Sequence, residues 1–413
     1  MIVFFACAKA GFMLLPLNWR LAAAELRFQL EDAEPSLFFV EDEHIALAEA
    51  TDWPFEPLAP PDGNGVAVDA EVADDDGLLL IYTSGTTGRP KGAVLTHANC
   101  FWTNLSLDLA TALRDDDVVL QILPQFHCGG WNVQALLAWW KGARVVLERS
   151  FEPARMLSLL AEKRVTTMMG VPANYLFLAQ EPGFADADLS SLRLAVVGGA
   201  PMPEALIELW QARGVEIVQG YGLTEAAPNV LCLPPELAMR KMGSAGKPYP
   251  FVEVKLSDED ELLVRGPNVF PGYWRNPEAT AAVFRDGWLL TGDVAEADED
   301  GCYRIKGRIK DMYISGGENV YPAEVESVLH EHPSVADAAV VGVADERWGE
   351  AGVAFVVLVS AVPGDELLTY CRERLAAFKV PKRVHVVDAL PRSAMNKVLK
   401  DELRALDTAE VPA

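Results

Sequence analysis

The sequence has no excess of basic residues, no paired cysteines and no long apolar run, and each absence removes a class of function. Lys and Arg total 35 against 60 Asp and Glu, a formal net charge of −25. A basic face for nucleic acid is therefore not expected. The acidic excess also repels anionic lipid and, at long range, phosphorylated ligands, so any site for such a ligand must gather its own donors and cations. The six cysteines (Cys7, Cys100, Cys128, Cys232, Cys302 and Cys371) contain no CxxC pair, and 413 residues need no disulfide scaffold. Free thiols in a reducing, cytoplasmic setting are the expectation. No apolar run reaches the roughly 18 residues of a membrane span. Met1 to Ala6 is apolar but has no basic leader, and Lys9 soon interrupts the apolar run, so no signal peptide is read there.

What is present is a hydrophobic half of the chain, 50% of residues, enough for the two or three compact units that this length suggests. From Leu78 to Gly222 strands alternate with helices. Leu78–Tyr82, Ala143–Leu147 and Leu192–Val197 read as buried strands. Between Pro203 and Arg213, Leu206, Leu209 and Trp210 recur at helical spacing, Gly214 provides a stop, and Val215–Val218 follows as a strand. This alternation predicts an α/β fold, a mainly parallel sheet with helices on both faces. Glycine and proline thicken from Gly243 to Gly272, where short strands such as Glu261–Arg265 predict a small β-rich subdomain. After Lys310 the pattern is mixed α+β, with strands at Ala338–Val343 and Val353–Val359 and a helix at Asp365–Ala377. The expected division is a large N-terminal domain, 1–309, and a small C-terminal domain, 310–413.

The strongest local signal is the stretch from Tyr82 to Gly92. Thr83, Ser84, Gly85, Thr86, Thr87 and Gly88 follow a buried strand, so backbone N–H and side-chain O–H groups can converge on phosphate oxygens. Lys91 adds a mobile positive charge. The GxxxxGK spacing of a Walker loop is absent. Read without its context, such a stretch is a soluble surface turn; the strand before it and the lysine at fixed offset favour the phosphate reading.

At this loop the chain resembles the adenylate-forming superfamily of acyl-CoA synthetases, adenylation domains and firefly luciferase. The resemblance runs over nearly the whole chain in five ordered blocks: 82–92; Pro124 to Gly130; Gln219 to Glu225; Thr291-Gly292-Asp293 with Gly307 to Asp311; and Pro391 to Lys397. It implies an ATP/AMP site formed by the loop residues with Lys91, by Gly199 and Ala200, by Gly220, Tyr221, Gly222 and Thr224, and by Asp293 and Arg308 on the ribose. Residue chemistry agrees at several points. Tyr221 offers a flat face for adenine between two glycines. Thr224 can hydrogen-bond the α-phosphate, and Glu225 is a hard carboxylate suited to Mg2+. Asp293 can accept from a diol, although a Gly-Asp pair alone is more often a turn. Lys397 can bridge a carboxylate and the α-phosphate as charge redistributes on attack.

The resemblance further implies that His127 gates an acyl pocket, with Trp131 beside it, that Lys310 is the hinge, and that Gly316 and Gly317 admit a pantetheine arm. Trp348 and Lys382 resemble the coenzyme A nucleotide surface. No Asp stands in the 124–130 block to pair with an α-ammonium, which argues for an acid that is not an amino acid. The expected activity is an AMP-forming acid–coenzyme A ligase using ATP and Mg2+. Fatty acids come first as substrate and aryl acids second. The sequence leaves open a carrier-protein acceptor, a non-catalytic binding remnant and a homodimer. Two features depart from the family pattern. Met1 already matches the family's interior, so a first segment is expected to be missing, and Asn396 replaces the usual glycine before Lys397, in a residue type that tolerates left-handed dihedrals.

Overall fold

In the computed structural model, which describes residues 1–59, 63, 68, 70–83, 89–392 and 398–409, the segment GLLLIYT at Gly77–Thr83 is a strand whose Leu79 and Ile81 are fully buried. It pairs antiparallel with Lys91–Thr96, with Thr83 opposite Lys91, and Gly272–Tyr273 completes a three-stranded sheet. This corrects the expectation that the first strand joins the parallel sheet. The connection to Lys91–Thr96 is too short for a crossover, and short connections make hairpins.

The parallel sheet lies after it. Its seven strands run in the order Lys247–Pro248, Asn229–Cys232, Ile217–Gly222, Leu194–Val197, Thr167–Gly170, Val118–Gln121 and Arg144–Leu147. Pairings from Ile217–Gly222 onward are parallel, and the two on the other side are antiparallel. Arg144–Leu147 is the edge strand, which is why it is only partly buried despite its apolar sequence. Helices pack on the sheet through short apolar stripes. Glu204–Ala212 buries Leu206, Ile207 and Trp210, while the expected Leu209 faces out at 45% exposure. Each such fully buried side chain contributes about 1.5–3 kcal/mol. Gly214 follows with φ +77, as the stop signal requires.

The helix His97–Thr111 begins in a capping box: Thr96 Oγ1 accepts from Asn99 N–H and Asn99 Oδ1 accepts from Thr96 N–H. The Asn99 amide also donates to the carbonyls of Pro267 and Val269, tying this helix to the β-rich subdomain. That subdomain is a second sheet of Glu253–Leu256, Glu261–Arg265, Trp288–Ala297 and Phe284–Arg285, with Tyr303–Arg308 paired to Trp288–Ala297.

A single turn, Ile309–Asp311, separates Tyr303–Arg308 from Tyr313–Ser315, which belongs to a different sheet. This last sheet contains Tyr313–Ser315, Glu318–Val320, Gly349–Leu358, Val335–Asp345 and a parallel Arg383–Val386. Helices Pro322–His330 and Gly364–Arg372 bury Val325, Leu329, Leu367 and Cys371 against one face. The second of these stops at Arg372, earlier than expected from sequence. Lys400–Ala409 covers the other face through Leu403. Asp407 accepts hydrogen bonds from Arg383 and pairs with His385, while at the other end of the helix Lys400 Nζ lies 3.2 Å from Glu326. Just before this helix, Arg392 is bridged to Val398 across the backbone and paired to Asp337 at 2.6 Å.

Candidate functional site

Strand register brings the first pair of site residues together. Asp293 and Arg308 are directly opposed on neighbouring strands of the β-rich sheet. Arg308 Nε donates to Asp293 Oδ1 at 3.1 Å, and Tyr221 OH donates to Asp293 Oδ2 at 2.5 Å. Burial and the Asp293 charge push the Tyr221 phenol well above its ordinary range, so it stays a donor. Asp293 is 4% exposed. Each of its oxygens keeps a further lone pair, so the pair can still accept from a diol. Tyr221 therefore joins the central sheet to the β-rich one while its ring lines the cleft.

Of the glycines around Tyr221, Gly222 has a contact reason, whereas a Cβ at Gly220 would meet nothing nearer than 3.5 Å. A Cβ at Gly222 would lie 1.7 Å from the carbonyl oxygen of Pro228. Beyond this strand Thr224–Ala226 forms one turn. The Cys128 thiol donates to Thr224 Oγ1 at 3.5 Å, and burial pushes that thiol up to about 11, so it is neutral at physiological pH. Glu225 Oε1 accepts from Tyr273 OH at 2.7 Å. Among the described residues Oε2 takes no hydrogen bond, and a hard carboxylate oxygen of this kind fits Mg2+ shared with phosphate oxygens. Lys91 Nζ stands 5.3 Å from the centre of the Tyr273 ring.

Thr83, Lys91, His127, Gly199, Ala200, Tyr221, Thr224, Glu225 and Arg308 line one cleft, together with Lys310 and Lys400. Thr83 Oγ1 faces the Lys91 carbonyl at 3.5 Å, at the mouth of the hairpin. Ser84, Gly85, Thr86, Thr87, Gly88 and Lys397 lie outside the described residues. Lys310 is exposed in the turn between the sheets. His127 is half-buried, its ring 4.9 Å from Phe126.

Two residues are placed differently from what the resemblance implies. Trp131 does not border the cleft: its ring stacks on Phe4 at 4.6 Å, its Nε1 donates to the Gln125 carbonyl, and it is 2% exposed. Its indole serves the core because the short helix Gly129–Asn132 turns it inward. The space expected beside Gly316 is also not open. A Cβ there would lie 2.8 Å from the Trp348 ring, and Gly316 N–H donates to the Trp348 carbonyl. Gly316 and Gly317, with φ +63 and +89, make the two-residue hairpin turn between Tyr313–Ser315 and Glu318–Val320.

Trp348 is 44% exposed with the Arg347 guanidinium 4.8 Å above it. Lys382 is paired with Asp345, whose carboxylate also accepts from the N–H groups of Arg347 and Trp348. These pairings hold the Asp345 carboxyl below the usual aspartate range. Gly316, Trp348 and Lys382 thus form one group, apart from the cleft. Tyr273 was not singled out from sequence. Its only signal is a tyrosine after a glycine in Pro271-Gly272-Tyr273-Trp274, which carries no chemistry of its own.

The AMP-binding enzyme family matches residues 1–274, and the AMP-binding enzyme C-terminal domain matches residues 324–397. A feruloyl-CoA synthase of Amycolatopsis sp is 45% identical over 417 residues, covering 97% of this chain and 85% of the relative. A long-chain-fatty-acid–CoA ligase of Mycobacterium tuberculosis is 38% identical over 434 residues, covering 99% of this chain and 86% of the relative. Among solved structures, the O-succinylbenzoate coenzyme A synthetase of Bacillus subtilis in complex with ATP and magnesium superposes with a TM-score of 0.87 at 35% identity, covering 97% of this chain and 86% of that one. With both family matches in order along the chain, this protein belongs to the AMP-binding, adenylate-forming enzyme family.

Proposed function

We propose that this chain is an ATP-dependent, AMP-forming ligase that joins an aryl carboxylic acid to coenzyme A. The observation that carries the reading is one cleft onto which Lys91, Thr224–Glu225, Tyr221 and Arg308 converge from three different sheets, with Asp293 hydrogen-bonded to both Tyr221 and Arg308. In this reading the ribose hydroxyls donate to Asp293, the adenine lies on Tyr221, and Thr224 Oγ1 donates to the α-phosphate. Glu225 is the protein ligand for Mg2+, which neutralises phosphate charge when bound. Lys397 steadies the substrate carboxylate against the α-phosphate. A carboxylate oxygen attacks the α-phosphorus, the bond to pyrophosphate breaks, and an acyl-adenylate forms. The sulfur of coenzyme A then attacks the acyl carbon and AMP leaves with the bonding pair.

The substrate preference reverses the order set by sequence. The feruloyl relative is nearer in identity than the fatty-acid relative, 45% against 38%. His127, Met169, Val171, Gly198 and Gly199 all line the cleft, and glycine backbone in its wall suits the flat face of a ring. Fatty acids are the second reading, favoured by the apolar residues of the same wall. We take 1–309 and 310–413 as the two moving parts, with Lys310 as the pivot. Gly316, Gly317, Trp348 and Lys382 are the proposed acceptor surface, and in the described arrangement they stand outside the cleft.

Pyrophosphate release with ATP and Mg2+ across hydroxycinnamic, arylacetic and long-chain fatty acids tests the substrate class, and AMP rather than ADP must accompany it. Feruloyl-type acids are expected to lead. Release only with fatty acids would overturn the aryl assignment, and ADP formation would overturn adenylation. Adding coenzyme A or a pantetheinylated carrier protein separates the two acceptors.

A further inference from the structure

Tyr273 takes no part in the reaction as described, yet it touches two of the groups proposed to handle the triphosphate. Its backbone is fastened on several sides. Tyr273 pairs with Ala93 in the three-stranded sheet, its N–H donates to Thr280 Oγ1 at 2.9 Å, and Trp274 N–H donates to the Gly92 carbonyl at 2.7 Å. Gly272 lets Thr280 close in, since a Cβ there would lie 2.6 Å from Thr280. The ring is fixed edge-on to Phe270 at 4.9 Å, and Phe270 N–H donates to the Glu225 carbonyl at 2.9 Å. In this register Lys91 is the diagonal cross-strand neighbour of Tyr273, within reach of a long side chain.

We infer that Tyr273 is a positioning residue for the metal–triphosphate end of the site: its phenol aims the Glu225 carboxylate, and its ring holds the Lys91 ammonium near that carboxylate. The inference rests on the reading of the cleft as an ATP site. The hydroxyl donates to Oε1 at 2.7 Å and so leaves Oε2 for a cation. Groups that orient a metal's ligand typically carry about 10–100-fold in affinity. The ring face supplies Lys91 with an attractive surface that does not neutralise its charge. A purely structural role, packing against Phe270, would need the ring and not the hydroxyl.

The test uses the full chain and reads binding rather than turnover. Mn2+ replaces Mg2+, and α,β-methylene-ATP, which cannot lose pyrophosphate, replaces ATP; free Mn2+ is read by electron paramagnetic resonance. Tyr273→Phe should weaken Mn2+ binding in the presence of the nucleotide by about tenfold. Nucleotide affinity without metal and the melting temperature should stay at wild-type values. In a Glu225→Gln background Tyr273→Phe should have no further effect on Mn2+. Tyr273→Leu should in addition weaken metal-free nucleotide binding about threefold, as Lys91 loses its support. Wild-type Mn2+ affinity in Tyr273→Phe would overturn the inference, as would an equal loss in both backgrounds. Metal-free affinity in Tyr273→Leu equal to that of Tyr273→Phe would overturn the Lys91 part. If the wild-type chain binds neither nucleotide nor Mn2+–nucleotide, the ATP reading itself fails, an outcome distinct from any effect of Tyr273.

Discussion

Gly222 and Gly317 both stand beside groups proposed to act in the reaction, and a methyl group added at each would meet opposite surroundings. At Gly222 it would lie 1.7 Å from the Pro228 carbonyl oxygen; at Gly317 nothing lies within 4 Å. Gly317 needs its freedom for a φ of +89, a purely local demand. Gly222 needs room because two backbones meet there, a demand set by tertiary packing. The same contrast runs through the two regions. The proposed nucleotide end ties three sheets together through Tyr221, Asp293, Glu225 and Tyr273. The group of Gly316, Trp348 and Lys382 belongs to one sheet and its flanking turns, and its charges are already paired.

If the two regions serve different half-reactions, they can be broken separately. The largest effect is expected at Lys397. Lys397→Ala should lower pyrophosphate release about 10²–10³-fold, yet convert pre-made acyl-AMP and coenzyme A to thioester at near wild-type rate. Lys310→Pro should show the reverse, because proline fixes φ and removes an N–H at the pivot. Equal loss of both steps in a folded Lys397→Ala protein would remove the functional contrast. Gly222→Ala comes next, at about 3 kcal/mol in denaturant titration, since the overpacked partner is backbone. Asp293→Asn keeps the shape but drops the charge facing Arg308, and should weaken nucleotide binding by roughly 1.5 kcal/mol in calorimetry, about tenfold. Gly317→Ala should cost only about 1 kcal/mol in denaturant titration and leave adenylation intact. A Gly317 effect as large as that of Gly222 would break the local-versus-tertiary distinction.

The smallest effect concerns acid. The Asp345 carboxyl is held below its usual range by Lys382 and two backbone N–H groups. A depressed carboxyl contributes stability above its unfolded value, near about 4, and that stability is lost as pH falls through the lower folded value. Lys382→Met should therefore lower stability at neutral pH and move the acid-unfolding midpoint of the C-terminal sheet upward, read by circular dichroism, the difference from wild type fading as pH falls through the folded value. An unchanged midpoint would mean that the backbone donors alone hold the carboxylate.

How much was legible in the sequence tracks the local-versus-tertiary contrast. Glu261–Arg265 was read to the residue, and the helix before Gly214 within one residue at each end, because periodicity and stop signals are local. The strand Leu78–Tyr82 was assigned to the wrong sheet because pairing partners are non-local: nothing in GLLLIYT states that Lys91–Thr96 pairs antiparallel beside it. Motif residues Tyr221, Thr224, Glu225 and Arg308 line one cleft, with Asp293 bonded to Tyr221 and Arg308. Trp131 did not, because its destination depends on a stack with Phe4. Tyr273 was invisible for the same reason, since its meaning lies in Glu225, which is 48 residues away.

The bridge between Arg392 and Val398, with Arg392 held by Asp337 and Lys400 by Glu326, has a practical consequence. Residues outside the interval have already brought its two ends together. The entropy of closing that interval is thus covered by neighbours, and it depends only weakly on which side chains lie within. Substitutions among residues 393–397 should change rate without changing abundance. For an enzyme whose turnover must be silenced while its shape persists, as in holding ATP and acid unreacted for crystallography, that interval is the place to substitute.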